Sequence, residues 1–76
     1  MRTYVSFEEI ELITTPTTLD DIKVGECFIA VRTIGAPHKW PVYQKAATGY
    51  VCLENGKSAL PYQFEDYEIR RLKAGL

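Results

Sequence analysis

Arg32, His38, Lys39, Trp40 and Tyr43 fall within twelve residues of a 76-residue chain whose charges are otherwise balanced. Aromatic rings beside cations can stack on nucleic-acid bases while the cations hold phosphates. Trp, Tyr and Arg are also the side chains most enriched at protein-interface hot spots. A third reading makes Trp40 a core aromatic that closes one end of the domain, with Pro37 and Pro41 stiffening the segment around it. The chain carries 9 Lys and Arg against 10 Asp and Glu, a formal net charge of −1. A general nucleic-acid coat needs a strong positive field, which this balance does not provide. The five residues are therefore predicted to form a partner-binding surface, with a protein as the favoured partner and nucleic acid second.

Catalytic constellations are weaker. His38 is the only histidine, and a general base needs an orienting partner and a positioned substrate. The acidic pairs Glu8-Glu9, Asp20-Asp21 and Glu65-Asp66 are sequence neighbours, which a strand points to opposite faces. Ser6 and Ser58 lack a nucleophile-elbow context, and no glycine-rich phosphate cradle is present. A domain this short has little room for a desolvated pocket, so the chain is predicted not to be an enzyme and to need no cofactor. Cys27, Cys52 and His38 cannot supply four soft ligands, so no zinc site is expected. Both cysteines lie in apolar runs and read as small buried hydrophobes kept reduced, with a disulfide open to them only if their strands are neighbours. Met1–Glu9 carries no signal-peptide pattern, which points to a cytoplasmic protein. No apolar run approaches the roughly 18 residues of a membrane-spanning helix, so no membrane partner is expected.

These residues need a scaffold, and the chain reads as one domain of short strands with strong punctuation. Residues 2–13 fit either a strand with a bulge or a short helix, because Ser6 followed by Glu9 matches a capping box. Thr14–Thr18 reads as a break around Pro16, and Thr18–Lys23 as a single helical turn capped by Thr18. Residues 26–34 form the best strand, apolar on both faces and so central and covered on both sides. Residues 35–41 read as a proline-bounded loop, followed by strands at 42–46 and 50–54. Asn55-Gly56 predicts a two-residue type I′ hairpin into a strand at 57–60. Pro61–Asp66 interrupts the pattern, and Tyr67–Leu72 closes it. Phe28 and Phe64 are expected in the core, with Tyr62 and Tyr67 half exposed. Arg70, Arg71 and Lys73 read as a solubilising edge, and Glu8, Glu9, Glu11, Asp20 and Asp21 as a solvated face.

From Leu19 onward this gives about five short strands, too few for a two-sheet sandwich. The expected fold is mainly β: a small five-stranded, partly open barrel with one or two short helical turns. Residues 1–18 would be an N-terminal extension and residues 19–72 the barrel. The hairpin, the helical-turn-like segment Tyr62–Asp66 and the final strand resemble the end of an SH3-like barrel. The spacing Leu19-x-x-Ile22-Lys23-x-Gly25-x-x-Phe28, then Val42-Tyr43-x-Lys45, then Val51-x-Leu53, resembles small barrel proteins encoded by bacteriophages, over about residues 19–72. That resemblance implies a small inhibitor or modulator of a host protein, active in host takeover or anti-defence, with a host or phage protein as its partner. Its alternatives are a nucleic-acid-binding barrel and a phage structural or assembly component.

Overall fold

The computed structural model describes residues 2–32 and 38–73. Residues 2–13 combine both of their sequence readings. Strand β1 (Tyr4–Ser6) runs into a 3₁₀ turn at Phe7–Glu9 and then a one-turn helix, α1 (Ile10–Ile13). Strand β2 (Thr14–Thr17) follows, then a 3₁₀ turn at Leu19–Asp21 and the strand β3 (Cys27–Val31). Strands β4 (Lys39–Pro41), β5 (Tyr43–Ala46), β6 (Gly49–Cys52) and β7 (Ser58–Ala59) lead to a 3₁₀ turn at Pro61–Phe64 and the last strand, β8 (Glu68–Leu72). The protein is mainly β, with short helical turns.

Eight strands among the described residues make two open antiparallel sheets, where the sequence predicts five strands in one curled sheet. The larger sheet has the order β2-β8-β3-β5-β6-β7, and β1 pairs with β4 in a separate ribbon. Within residues 2–18, β1 joins the ribbon and β2 the larger sheet, so this segment is part of both sheets rather than appended to them. The expected break at Thr14–Thr18 is an edge strand that contains Pro16. Lys73 N–H donates to the Ile13 carbonyl at 2.8 Å, and the register Thr14↔Leu72 follows from it. Alternation along the ladder then turns the nitrogen of Pro16 away from β8. Proline is tolerated there because no ladder donor is lost, and it blunts the free edge.

Strand β3 is central, as its two apolar faces predict, and it separates two cores. Phe28 and Ala30 face Ile22, Tyr50, Ala59, Phe64 and Ile69. Ile29, on the other face, packs with Val5, Trp40 and Val42. In the first core Phe28 is the hub of an aromatic cluster, with centroids 5.7 Å from Tyr43, 5.5 Å from Tyr50 and 5.4 Å from Phe64. The last two contacts are edge-to-face, the arrangement that ring quadrupoles favour.

The hairpin at Asn55-Gly56 is present but is not a type I′ turn. Cys52 N–H donates to the Lys57 carbonyl at 2.8 Å, so the loop is Leu53–Gly56, and Gly56 N–H returns to the Cys52 carbonyl at 2.7 Å. Gly56 has φ +73°, while no described non-glycine residue has positive φ. Asn55 serves instead as an acceptor, its Oδ1 taking the Lys57 N–H at 2.9 Å, the local bond typical of asparagine in turns. Space around Gly56 is open to a Cβ, so only backbone strain opposes substitution. Gly56→Val is expected to lower stability by about 1–2 kcal/mol, and Gly56→Asn by much less, as asparagine tolerates this conformation. Equal urea midpoints for the two variants would refute this turn geometry.

Arg70 departs from the expected solubilising edge. Strand β8 lies between β2 and β3, and the Arg70 side chain is only 7% exposed. Its Nε donates to Thr14 Oγ1 at 2.8 Å, and Nη1 reaches Glu68 Oε2 at 3.3 Å. Nη2 lies 3.5 Å from Glu11 Oε2. Thr14 Oγ1 in turn donates to the Ile10 carbonyl at 2.5 Å, so one guanidinium ties α1 and β2 to β8. Both carboxylates are largely in water, which weakens the ion pairs, so packing of the arginine stem should dominate. Arg70→Ala is expected to cost about 2 kcal/mol and Arg70→Met less than about 1 kcal/mol. Matching losses in chemical denaturation would show that the polar network outweighs the packing.

Candidate partner-binding surface

The five cation–aromatic residues lie on or beside different elements, which carry them to different places. The β1–β4 ribbon pairs Tyr4 with Pro41, Val5 with Trp40 and Ser6 with Lys39. Strand alternation puts Val5 and Trp40 on the inner face and Tyr4 and Lys39 on the outer one. Trp40 is 4% exposed and belongs to the second core. Trp40 thus closes a core rather than joining a binding surface, so its indole is not a docking surface. The physical reason is the register with Val5, which turns the ring inward over Ile29 and Val42. Segment 39–41, expected in a loop, is strand β4, and the loop positions 33–37 lie outside the described residues.

Tyr43 is three positions beyond Trp40, so it faces the opposite side of the strand. It packs in the first core, with its ring centroid 5.0 Å from Phe64, and burial pushes its phenol pKa up, helped by Cys52, Tyr67 and Glu54 nearby. Arg32 is exposed and lies over the Tyr67 ring, with Cζ 5.6 Å from the centroid. His38 and Lys39 are exposed beside the ribbon. The five predicted residues therefore divide: His38 and Lys39 border one surface, Arg32 another, and Trp40 and Tyr43 belong to separate cores.

The surface around Lys39 contains two aromatics that the sequence reading did not assign to it. Lys39 Nζ is 4.7 Å from the centroid of the Tyr4 ring, within the range of a cation–π contact. Phe7 is 63% exposed and stacks on Trp40 at 6.1 Å, with an interplanar angle of 27°. The backbone fixes its position, because Phe7 N–H donates to the His38 carbonyl at 3.0 Å. Glu9 secures the 3₁₀ turn that carries Phe7. Its Oε1 accepts from Ser6 Oγ at 2.8 Å, Ser6 N–H at 3.2 Å and Arg2 Nη1 at 2.9 Å. Those Ser6 bonds lead in holding the Glu9 carboxyl below its ordinary pKa; burial opposes them, and Arg2 adds to them. The capping-box spacing of Ser6 and Glu9 was the available signal that the chain leaves the strand at Phe7 and exposes its ring.

Both cysteines are free. Strand β5 lies between their strands, a separation of about 10 Å, which is beyond disulfide reach. Burial pushes the Cys27 thiol pKa up, which disfavours the reactive thiolate. Among the described residues no group of three or more His, Cys, Asp or Glu converges as a metal-ligand set. No helix of the described chain is long and apolar enough to cross a membrane. No protein-family model, curated protein or solved structure matches the chain.

Proposed function

We propose that the protein is a non-enzymatic protein-binding module whose contact surface is the outer side of the β1–β4 ribbon: Tyr4, Phe7, His38 and Lys39. The observation that carries this reading is the exposed Phe7 ring, backed by buried Trp40 and held by its backbone bond to His38. A large ring already fixed in place loses little entropy on binding. The Tyr4 ring and the Lys39 cation beside it supply the amphipathic border that interface anchors use. The separation of Arg32 from His38 and Lys39 favours protein over nucleic acid, since a phosphate backbone is tracked by a continuous basic groove.

The 3₁₀ turn between β7 and β8 supports reading the larger sheet as SH3-like. The similarity of residues 19–72 to small phage-encoded barrels supports a cytoplasmic role as an inhibitor or modulator of a host protein, in host takeover or anti-defence.

The test is capture from bacterial lysate on the immobilised chain, before and after nuclease treatment, at low and high salt. Phe7→Ala is expected to reduce the captured protein at least tenfold while its melting temperature stays near that of the parent. Lys39→Ala should mainly slow association, as loss of a border charge does. Capture that is indifferent to Phe7→Ala, or that disappears with nuclease or high salt, would refute this reading.

A further inference from the structure

On another side of the molecule, where β2 ends and β8 begins, lies a shallow cleft of about 350 Å³. Its apolar walls come from Leu19, Phe64, Tyr67 and Ile69, and its lining includes Glu65 and Glu68 but no basic residue. The 3₁₀ turn beside it carries Leu60, Pro61 and Tyr62, and Tyr62 is 66% exposed. This turn is stiffened by Pro61 and by Gln63, whose Oε1 accepts the Leu60 N–H at 2.7 Å. An apolar ridge thus stands next to an apolar cleft that carries negative charge. Glu68 already meets Arg70, whereas Glu65 forms no ion pair among the described residues. Exposed apolar surface rimmed by polar groups marks interaction sites, and a cleft of this volume holds one or two side chains.

We propose that this cleft docks a basic, apolar segment of a partner protein. One apolar side chain enters between Leu19 and Phe64, and an adjacent lysine or arginine pairs with Glu65. Charge complementarity selects the occupant, because an acidic lip repels acidic segments and steers basic ones. Arg32, held over Tyr67 at 5.6 Å, is the cation next to the cleft wall and opposes a basic ligand. This site is independent of the Phe7 surface and requires neither its integrity nor its partner.

The experiment titrates the full chain with the blocked peptide acetyl-Leu-Lys-Phe-Lys-amide and with acetyl-Leu-Glu-Phe-Glu-amide, read by amide NMR shifts. Expected are saturable shifts at Leu19, Phe64, Glu65 and Ile69 with the basic peptide, and binding at least tenfold weaker with the acidic one. Glu65→Lys should abolish the response while keeping a dispersed, folded spectrum, and Arg32→Ala should tighten binding several-fold. Equal response to both peptides, shifts centred on Tyr4 and Phe7, or an unchanged titration of Glu65→Lys would overturn the proposal. So would cleft shifts that appear on raising the protein concentration alone, which would make a second copy of the chain the occupant.

Discussion

Trp40→Ala is expected to lose about 3–5 kcal/mol of stability, the cost of truncating a buried indole. A melting temperature lower by roughly 15 °C or more should follow, since each kcal/mol shifts a domain of this size by about 4–8 °C. Three features make the loss large. The ring is 4% exposed, it shares the second core with Val5, Ile29 and Val42, and Phe7 stacks on its outer side. Its removal opens a cavity between the two sheets, where the ribbon has few other apolar anchors. Trp40→Phe keeps much of that apolar wedge and should cost less than half as much. The comparison separates packing from binding: a well-folded Trp40→Ala protein would show that the indole does not hold the ribbon to the larger sheet.

Phe28→Ala is expected to be equally severe, again about 3–5 kcal/mol. Phe28 is fully buried and meets Tyr43, Tyr50 and Phe64 at once. These edge-to-face and stacked pairs add to the burial of apolar area, and they connect β3, β5, β6 and the Pro61–Phe64 turn. Phe28→Leu should cost substantially less, because it refills most of the volume but not the ring geometry. Urea denaturation with near-ultraviolet circular dichroism checks both variants. The aromatic signal should fall in each, while only Phe28→Ala shifts the midpoint strongly. A midpoint near the parental value for Phe28→Ala would mean that the aromatic cluster is not the centre of the first core.

Much of the local structure was legible in the chain. The run from Cys27 to Val31, apolar on both faces, announced a central strand because only burial on both sides removes such a run from water. Asn55-Gly56 marked the position of a hairpin, since glycine constrains backbone angles within a few residues, and the helical turn expected at Tyr62–Asp66 lies at Pro61–Phe64, with proline at its first position. Ser6 and Glu9 contained the turn that exposes Phe7, although Val5 and Phe7 also fit a strand.

Tertiary structure alone decided the rest. Thr14–Thr17 is a strand because Leu72 and its neighbours, far along the chain, offer a ladder whose register spares Pro16. Arg70 is buried because β8 lies between β2 and β3, where its Nε donates to Thr14, 56 residues away, a contact no local pattern encodes. Asn55-Gly56 located the hairpin, but the register of Val51 on Ser58 and the Cys52–Lys57 bond set its loop length. Trp40 and Tyr43 looked like neighbours on one binding surface. Pairing of Val5 with Trp40 and of Phe28 with Tyr43 places them instead in two different cores. Residue types and local turns follow from short-range sterics and hydrogen bonding, whereas the inward or outward fate of a side chain depends on which distant strand supplies the other half of its ladder.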